Sequence, residues 1–231
     1  RSLISSPLIP TVLLGASTIN ELGSERQKLE LLHKIVEGDL LLAMAIDETT
    51  FHAPTKLNTT ATKSGENFKL NGSKTFVLDG HIANKLIVVA RTFGESDSTE
   101  GISLFLVDPA SPGVEISRTH MVDSRNSSKI IFTDVEVFAD NLLGDEGNGF
   151  AGLTRVLDRA CIGLAAEMLG GIQEVFDRTL EYLKQREQFG VLIGSFQGLQ
   201  HRAASMYSEI ELCKSAVIAA LSALDDEHST E

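Results

Sequence analysis

Arg186-Glu-Gln-Phe-Gly-Val-Leu-Ile-Gly-Ser-Phe-Gln-Gly-Leu-Gln-His-Arg-Ala-Ala204 joins two long stretches of helical periodicity. Upstream, Phe150, Leu153, Val156, Leu157, Leu164, Met168, Leu169, Ile172, Val175, Phe176, Leu180 and Leu183 recur at the spacing of one apolar helix face. Downstream, a second helix is expected from about 194 to 224. Gly190 and Gly194 can take the backbone angles that reverse a chain, but a plain reversal has no use for the arginine, amides and aromatics around them. Those side chains suit a ligand or a partner subunit. Two such helices cannot cover all the apolar surface they present, so the pattern predicts an incomplete bundle.

Gly144-Asp-Glu-Gly-Asn-Gly149 precedes the first helix and lacks the spacing and the lysine of a nucleotide loop, so it reads as the turn that admits the helix. From 40 to 138 the texture changes to short runs rich in Val, Ile, Phe and Thr, separated by Gly, Asn, Asp, Ser and Pro. Strands are expected over 43–47, 86–91, 103–107, 114–117 and 129–137, with Pro109 and Pro112 as breakers. Asn71-Gly72 reads as the tight turn of a hairpin between 68–70 and 73–77. Residues 6–37 carry two short helical patterns that break at Gly23-Ser24, with Ser24 as N-cap and Leu29, Leu32, Ile35 and Val36 on one face. The fold class is therefore α+β: a helical segment (1–38), a central antiparallel β-sandwich or barrel domain (39–145), and an incomplete C-terminal helical bundle (146–231).

With 231 residues and 42% hydrophobic content the chain can build a sizeable core. A net charge of -12 argues against a nucleic-acid partner, which would call for a basic patch. No run approaches the roughly 20 apolar residues of a membrane span, and the N-terminus carries no secretory signature, so an intracellular protein is expected. Cys161 and Cys213 lie far apart and match no metal-ligand spacing, nor do His52, His81, His120 and His201; no metal is expected. Arg1 stands where a methionine would begin a protein, and the chain stops soon after a helical pattern, which reads as an excerpt of a longer protein.

The 186–204 corner closely resembles one in the acyl-CoA dehydrogenase family, where Arg-x-x-Phe-Gly, three residues and a Gln-bearing helix contact both flavin and a neighbouring subunit. Here those positions are Arg186, Phe189, Gly190 and Gln197. Leu70-Asn-Gly-Ser-Lys-Thr-Phe-Val-Leu-Asp-Gly80 is a second family-like segment, in the order the family requires. The resemblance runs from the end of an N-terminal helical domain, through a middle β domain, into the first half of a C-terminal bundle. It implies FAD-dependent α,β-dehydrogenation of an acyl-CoA thioester to a trans-2-enoyl-CoA. It further implies an electron-transfer flavoprotein or similar acceptor, a homodimer or homotetramer, and a place in bacterial cytoplasm or mitochondrial matrix. Flavin contacts are implied at Ala45 and Ile46 through backbone, at Phe76, Val77 and Leu78, and at Arg186, Gln188, Phe189, Ile193, Phe196 and Gln197. Arg186 would meet the pyrophosphate across a subunit boundary, and Asp158 would touch substrate.

The family's Glu-Pro-Gly-x-Gly-Ser-Asp loop is replaced by Asp47-Glu-Thr-Thr-Phe-His-Ala-Pro54, and the bulk of Phe51 and His52 alters access. Leu78 stands where a Thr or Ser usually bonds the flavin N5 edge, and Cys161 replaces an arginine. The catalytic Glu of most of the family is expected beyond Glu231; a minority carries it at the position of Ala160, which cannot take a proton. Glu167 lies two turns further on, about 10 Å along the helix, too far to replace it. The base is thus unassigned, and these residues by themselves are expected to be inactive. The alternative is a catalytically degenerate, flavin-free binding or assembly module; a flavin oxidoreductase acting on a nitroalkane or another thioester-free substrate also fits the fold.

Overall fold

The computed structural model describes residues 4–123 and 125–226, which form two compact units, one of Ser5–Ala160 and one from Cys161 onwards. These units follow packing, whereas a partition at 38 and 145 follows changes of secondary structure. The first unit opens with a π-helical stretch, Leu8–Ala16, that continues into α1 (Ser17–Leu22). Then comes α2 (Glu25–Glu37), capped as the sequence leads one to expect: Ser24 Oγ accepts from Gln27 N–H, and Gln27 Oε1 accepts from Ser24 N–H at 2.8 Å. Gln27 Nε2 also donates to the carbonyls of Asp140 and Leu142. That anchor turns the helix, so Gln27 and Leu31 are buried, Leu32 and Ile35 half-buried, and Leu29 and Val36 exposed, unlike the face drawn from spacing alone. Ser24→Ala should lower stability by about 1 kcal/mol. A urea titration giving no measurable change would show that the cap is dispensable.

The strands are β1 (Leu42–Ala45), β2 (Thr60–Ser64), β3 (Asn67–Leu78), β4 (Lys85–Arg91), β5 (Ile102–Val107), β6 (Val114–His120), β7 (Asn126–Val137) and β8 (Leu142–Leu143). They form one sheet in the order β6-β7-β3-β2-β4-β5-β8, with β1 joined to β4. Pairing is antiparallel except that β1 runs parallel to β4, and Thr60 of β2 meets Arg91 of β4 in parallel sense. One face folds on itself: Ala43, Val88, Phe105 and Val107 share a core with Phe68, Leu70, Ile130 and Val135, and the Phe68 and Phe105 rings lie 5.0 Å apart. The other face, with Leu42, Met44, Ile87, Val89 and Leu104, packs against Ile19, Leu31, Leu153 and Val156 from the helices. β4 and β5 are buried on both faces, which is why they read as unbroken apolar runs.

Asn71-Gly72 is not a hairpin turn. β3 continues through it, and the chain reverses at Gly65-Glu66 between β2 and β3. Asn71 pairs sideways with Asp134 of β7, its Oδ1 accepting from Asp134 N–H at 2.9 Å, while Gly72 sits at a register shift where a Cβ would strike Thr59. The 144–149 segment does seat a helix: Gly147 N–H donates to Ser103 Oγ and Gly149 N–H to the Ile102 carbonyl, directly before α3 (Phe150–Gln185).

In the second unit, α3 leads through β9 (Glu187–Gln188) and β10 (Val191–Leu192) to α4 (Gln197–Asp225). Phe176 and Tyr207 bring α3 and α4 together, with centroids 6.2 Å apart. Met168, Ile172 and Val175 on α3 and Leu212, Ile218 and Leu221 on α4 remain exposed. Among the described residues no helix is long and apolar enough to cross a membrane.

Candidate functional site

Around the end of β1 the first unit concentrates charge in its interior. Ala45 is buried in the sheet core, and the carbonyl of Ile46 accepts from Lys74 Nζ at 2.8 Å. The Lys74 side chain is 0% exposed and also donates to Glu48 Oε1 at 2.8 Å. Glu48 accepts further from the N–H groups of Asn58 (2.7 Å) and Thr59 (2.9 Å), closing the loop between β1 and β2 at both ends. Burial pushes the Lys74 ammonium down to about 8, against the upward pull of Glu48 and Asp47. Burial pushes Glu48 up, but the Lys74 charge and the three donors outweigh it and hold the carboxyl below its ordinary range.

The rest of the loop is pinned as well. The Asp47 carboxylate accepts from Ala53 N–H and lies 3.0 Å from His52 Nδ1. From the other side, the Arg91 guanidinium donates to the carbonyls of Thr55, Ser96, Ser98 and Glu100, at 2.7 to 3.0 Å. Phe51 and His52 remain exposed, so a bulky loop stands in an ordered pose where small residues were lacking.

Thr75 N–H donates to the Asp47 carbonyl at 2.8 Å, which ties this loop to a second register shift in β3, between Lys74 and Val77. There Phe76 takes φ +51°, an unusual angle for an aromatic residue, and the residue is 51% exposed. Val77 points into the core, leaving only its backbone to face a ligand. Leu78 is half-buried in a small cleft with Ser5, Ser6, Asp79, Arg125 and Asn126. In that neighbourhood burial raises Asp79 and lowers His81. Ala45, Ile46, Phe76 and the clasp that joins them are thus one local assembly.

In the second unit, Phe189 (φ +55°) and Gly190 (φ +77°) form the turn between β9 and β10. Phe189 is 92% exposed and meets Phe196 edge-on at 6.3 Å. Arg186 closes the hairpin by accepting from Ile193 N–H at 2.8 Å, while its exposed guanidinium enters no ion pair among the described residues. Gln188 and Gln197 are exposed and Ile193 is half-buried. Gln188 Nε2 donates to the Glu187 carbonyl at 2.8 Å, so the corner presents one cation, the Gln197 amide and a pair of aromatics at the surface.

On α3, Asp158 is exposed, Ala160 is buried and Glu167 is half-buried. Arg155 and Arg159 both bond Glu21, at 2.6 and 3.3 Å. Lys74, Glu48 and Arg91 were not picked out from sequence. A signal existed for Lys74, since it continues the inward alternation Phe68, Leu70 along β3.

Residues 43–135 match the family described as "Acyl-CoA dehydrogenase, middle domain", and 147–231 match "Acyl-CoA dehydrogenase, C-terminal domain". The chain is 34% identical over 219 residues to the short-chain specific acyl-CoA dehydrogenase of Megasphaera elsdenii, covering 93% of this chain and 57% of that protein. It is 34% identical over 220 residues to mitochondrial isovaleryl-CoA dehydrogenase of Pongo abelii, covering 92% and 52%. The structure of butyryl-CoA dehydrogenase from Megasphaera elsdenii superposes with a TM-score of 0.86 at 34% identity, over 92% of this chain and 57% of the other. A glutaryl-coenzyme A dehydrogenase complex gives 0.91 at 29% identity, over 98% and 58%. The chain spans about half the length of the curated relatives it matches.

Proposed function

The chain belongs to the acyl-CoA dehydrogenase family, and from that membership we propose that it serves an FAD-dependent enzyme that dehydrogenates an acyl-CoA thioester across its α,β bond. The observation that carries this reading is the 186–197 corner, which holds an exposed guanidinium with no ion pair among the described residues and a 92% exposed phenylalanine on a strained two-residue turn. Both suit a flat, anionic cofactor.

FAD is the family's cofactor, and the residues present fit it. Arg186 offers a fork to a pyrophosphate, Gln188 and Gln197 offer amides, and Phe189, Ile193 and Phe196 offer apolar cover. On the β unit, Phe76 would flank the ring while the backbones of Ala45, Ile46, Val77 and Leu78 line its edge. Leu78 supplies no hydroxyl, so a side-chain bond to the ring is lacking at that position. When bound, the flavin accepts the hydride that leaves the substrate β-carbon. Asp158 would position substrate from α3. No residue of the 231 is assigned as base: Ala160 cannot take a proton, and Glu167 sits two helical turns away. We propose accordingly that these residues alone do not turn over acyl-CoA, that electrons pass to an electron-transfer flavoprotein, and that subunits share the flavin in a homodimer or homotetramer. Bacterial cytoplasm or mitochondrial matrix suits that role.

The test is the visible spectrum, with FAD, of a full-length protein that carries these residues, followed by anaerobic titration with acyl-CoAs of different length. Bound flavin bleached by one of them supports the dehydrogenase. A protein that takes up no FAD supports the flavin-free assembly module, which the Leu78 and 47–54 departures would favour. Arg186→Gln should weaken FAD binding by about 1.5–3 kcal/mol, the worth of a charge-assisted hydrogen bond. An unchanged Kd would remove Arg186 from the cofactor site.

A further inference from the structure

None of the cofactor or substrate contacts assigned above involves Lys74, although it is among the largest fully buried side chains of the chain. Its ammonium lies inside the sheet unit and is spent on two acceptors, the Ile46 carbonyl and Glu48, each at 2.8 Å. Glu48, with its side chain 6% exposed, passes the connection on to the N–H groups of Asn58 and Thr59. The residue after Lys74 bonds the Asp47 carbonyl, and the next is Phe76 at φ +51°. One buried charge pair therefore joins the end of β1, both ends of the loop that follows it, and the start of the bulge that turns the Phe76 ring outward.

Stability alone does not call for this arrangement. An apolar side chain would fill the same space without the penalty of desolvating two charges, and a buried pair is commonly neutral or unfavourable against such a replacement. What the pair supplies, and an apolar residue cannot, is direction: a fixed backbone at Ile46 and a fixed pose for Phe76, an angle that persists only when its surroundings over-determine it.

We propose that Lys74, acting through Glu48, is a positioning residue that sets the Ile46 backbone and the Phe76 ring in register to receive the planar ring of the flavin before it arrives. This deepens the FAD reading given above and rests on it. Lys74 touches neither substrate nor cofactor. It shapes the surface on which the cofactor lies, and preorganisation of that kind appears as affinity and as the electronic environment of the bound ring.

The experiment compares the wild type with the double variant Lys74→Met/Glu48→Gln, which removes both charges and leaves neither unpaired. The milder variant Glu48→Gln serves beside it; it keeps an acceptor for the loop amides and lets Lys74 shed its proton, so it folds even where the double variant does not. FAD affinity of the apoprotein is read from quenching of flavin fluorescence, the ring environment from the long-wavelength absorption band, and the loop from the rate of limited proteolysis within 47–59. The expected result is FAD binding weakened at least tenfold in the double variant and several-fold in Glu48→Gln, a displaced absorption band, and faster cleavage of the loop. A folded variant with wild-type affinity and band position overturns the proposal. Should the wild type take up no FAD, the cofactor reading fails separately, and the proteolysis decides: cleavage in 47–59 as slow in the variants as in the wild type overturns the clasp, and faster cleavage sustains it.

Discussion

Lys74→Met alone should cost about 3–5 kcal/mol of stability near neutral pH, because it strands the Glu48 carboxylate in the interior with only the Asn58 and Thr59 amides to face it. The pH dependence follows from the two shifts. Glu48 is held below its ordinary value of 4.5 in the folded protein, so its contribution is present above that pH and is lost as pH falls through the lowered folded value. Lys74 is lowered from 10.5 to about 8, so between those values the unfolded chain binds more protons, and this group adds stability as pH rises. The wild-type pair therefore weakens on the acid side and not on the alkaline side. In Lys74→Met the stranded carboxyl titrates upward, so the gap to wild type should narrow as pH falls from neutrality toward 4.5 and widen further as pH rises above about 8. Urea denaturation at several pH values measures this. A gap that stays constant with pH would mean that the lost stability is packing and not charge.

Arg91→Met is expected to cost about 3 kcal/mol, since four carbonyls that now share one guanidinium would each lose a charge-assisted donor. Burial lowers the Arg91 pKa, while the nearby acids Asp97, Glu48 and Glu95 pull it up. Its partners lie on two loops, Thr55 after β1 and Ser96, Ser98 and Glu100 after β4, so the damage should be local first. Amide hydrogen exchange over 53–59 and 95–101 should accelerate well before global unfolding. If both segments keep wild-type protection, the guanidinium is not what orders them.

Much of this architecture is written in short-range periodicity. β4 and β5 were legible as apolar runs, α3 and α4 as 3.6-residue stripes, and the 23–24 break as a cap, because in each case the deciding neighbours lie within a few positions. The 186–197 corner was legible for another reason, that its side chains exceed what a turn requires. Where sequence reading failed, the winning contact was distant. Asn71-Gly72 has the chemistry of a tight turn, but Asn71 meets Asp134, 63 residues on, and that pairing converts it to a bulge inside a straight strand. Leu29 and Val36 fit an apolar stripe, yet Gln27 anchors α2 to the Asp140 and Leu142 carbonyls and rotates them to solvent. Lys74 sat in the inward register all along. Its charge disguised it, because a lysine is read as surface until its partner, 26 residues earlier, is known.

The pairing of β3 with β7 also governs how the molecule comes into being. Phe68 must find Val137, while the hairpin between β2 and β3 closes locally. At a synthesis rate of about 5–20 residues per second, the twelve-residue strand β3 leaves the ribosome several seconds before its second neighbour exists. For that interval its far edge is an unpaired ladder of amides and carbonyls, open to any other extended chain. The nascent chain is then most exposed to mispairing, and most in need of a chaperone, before residue 137 emerges.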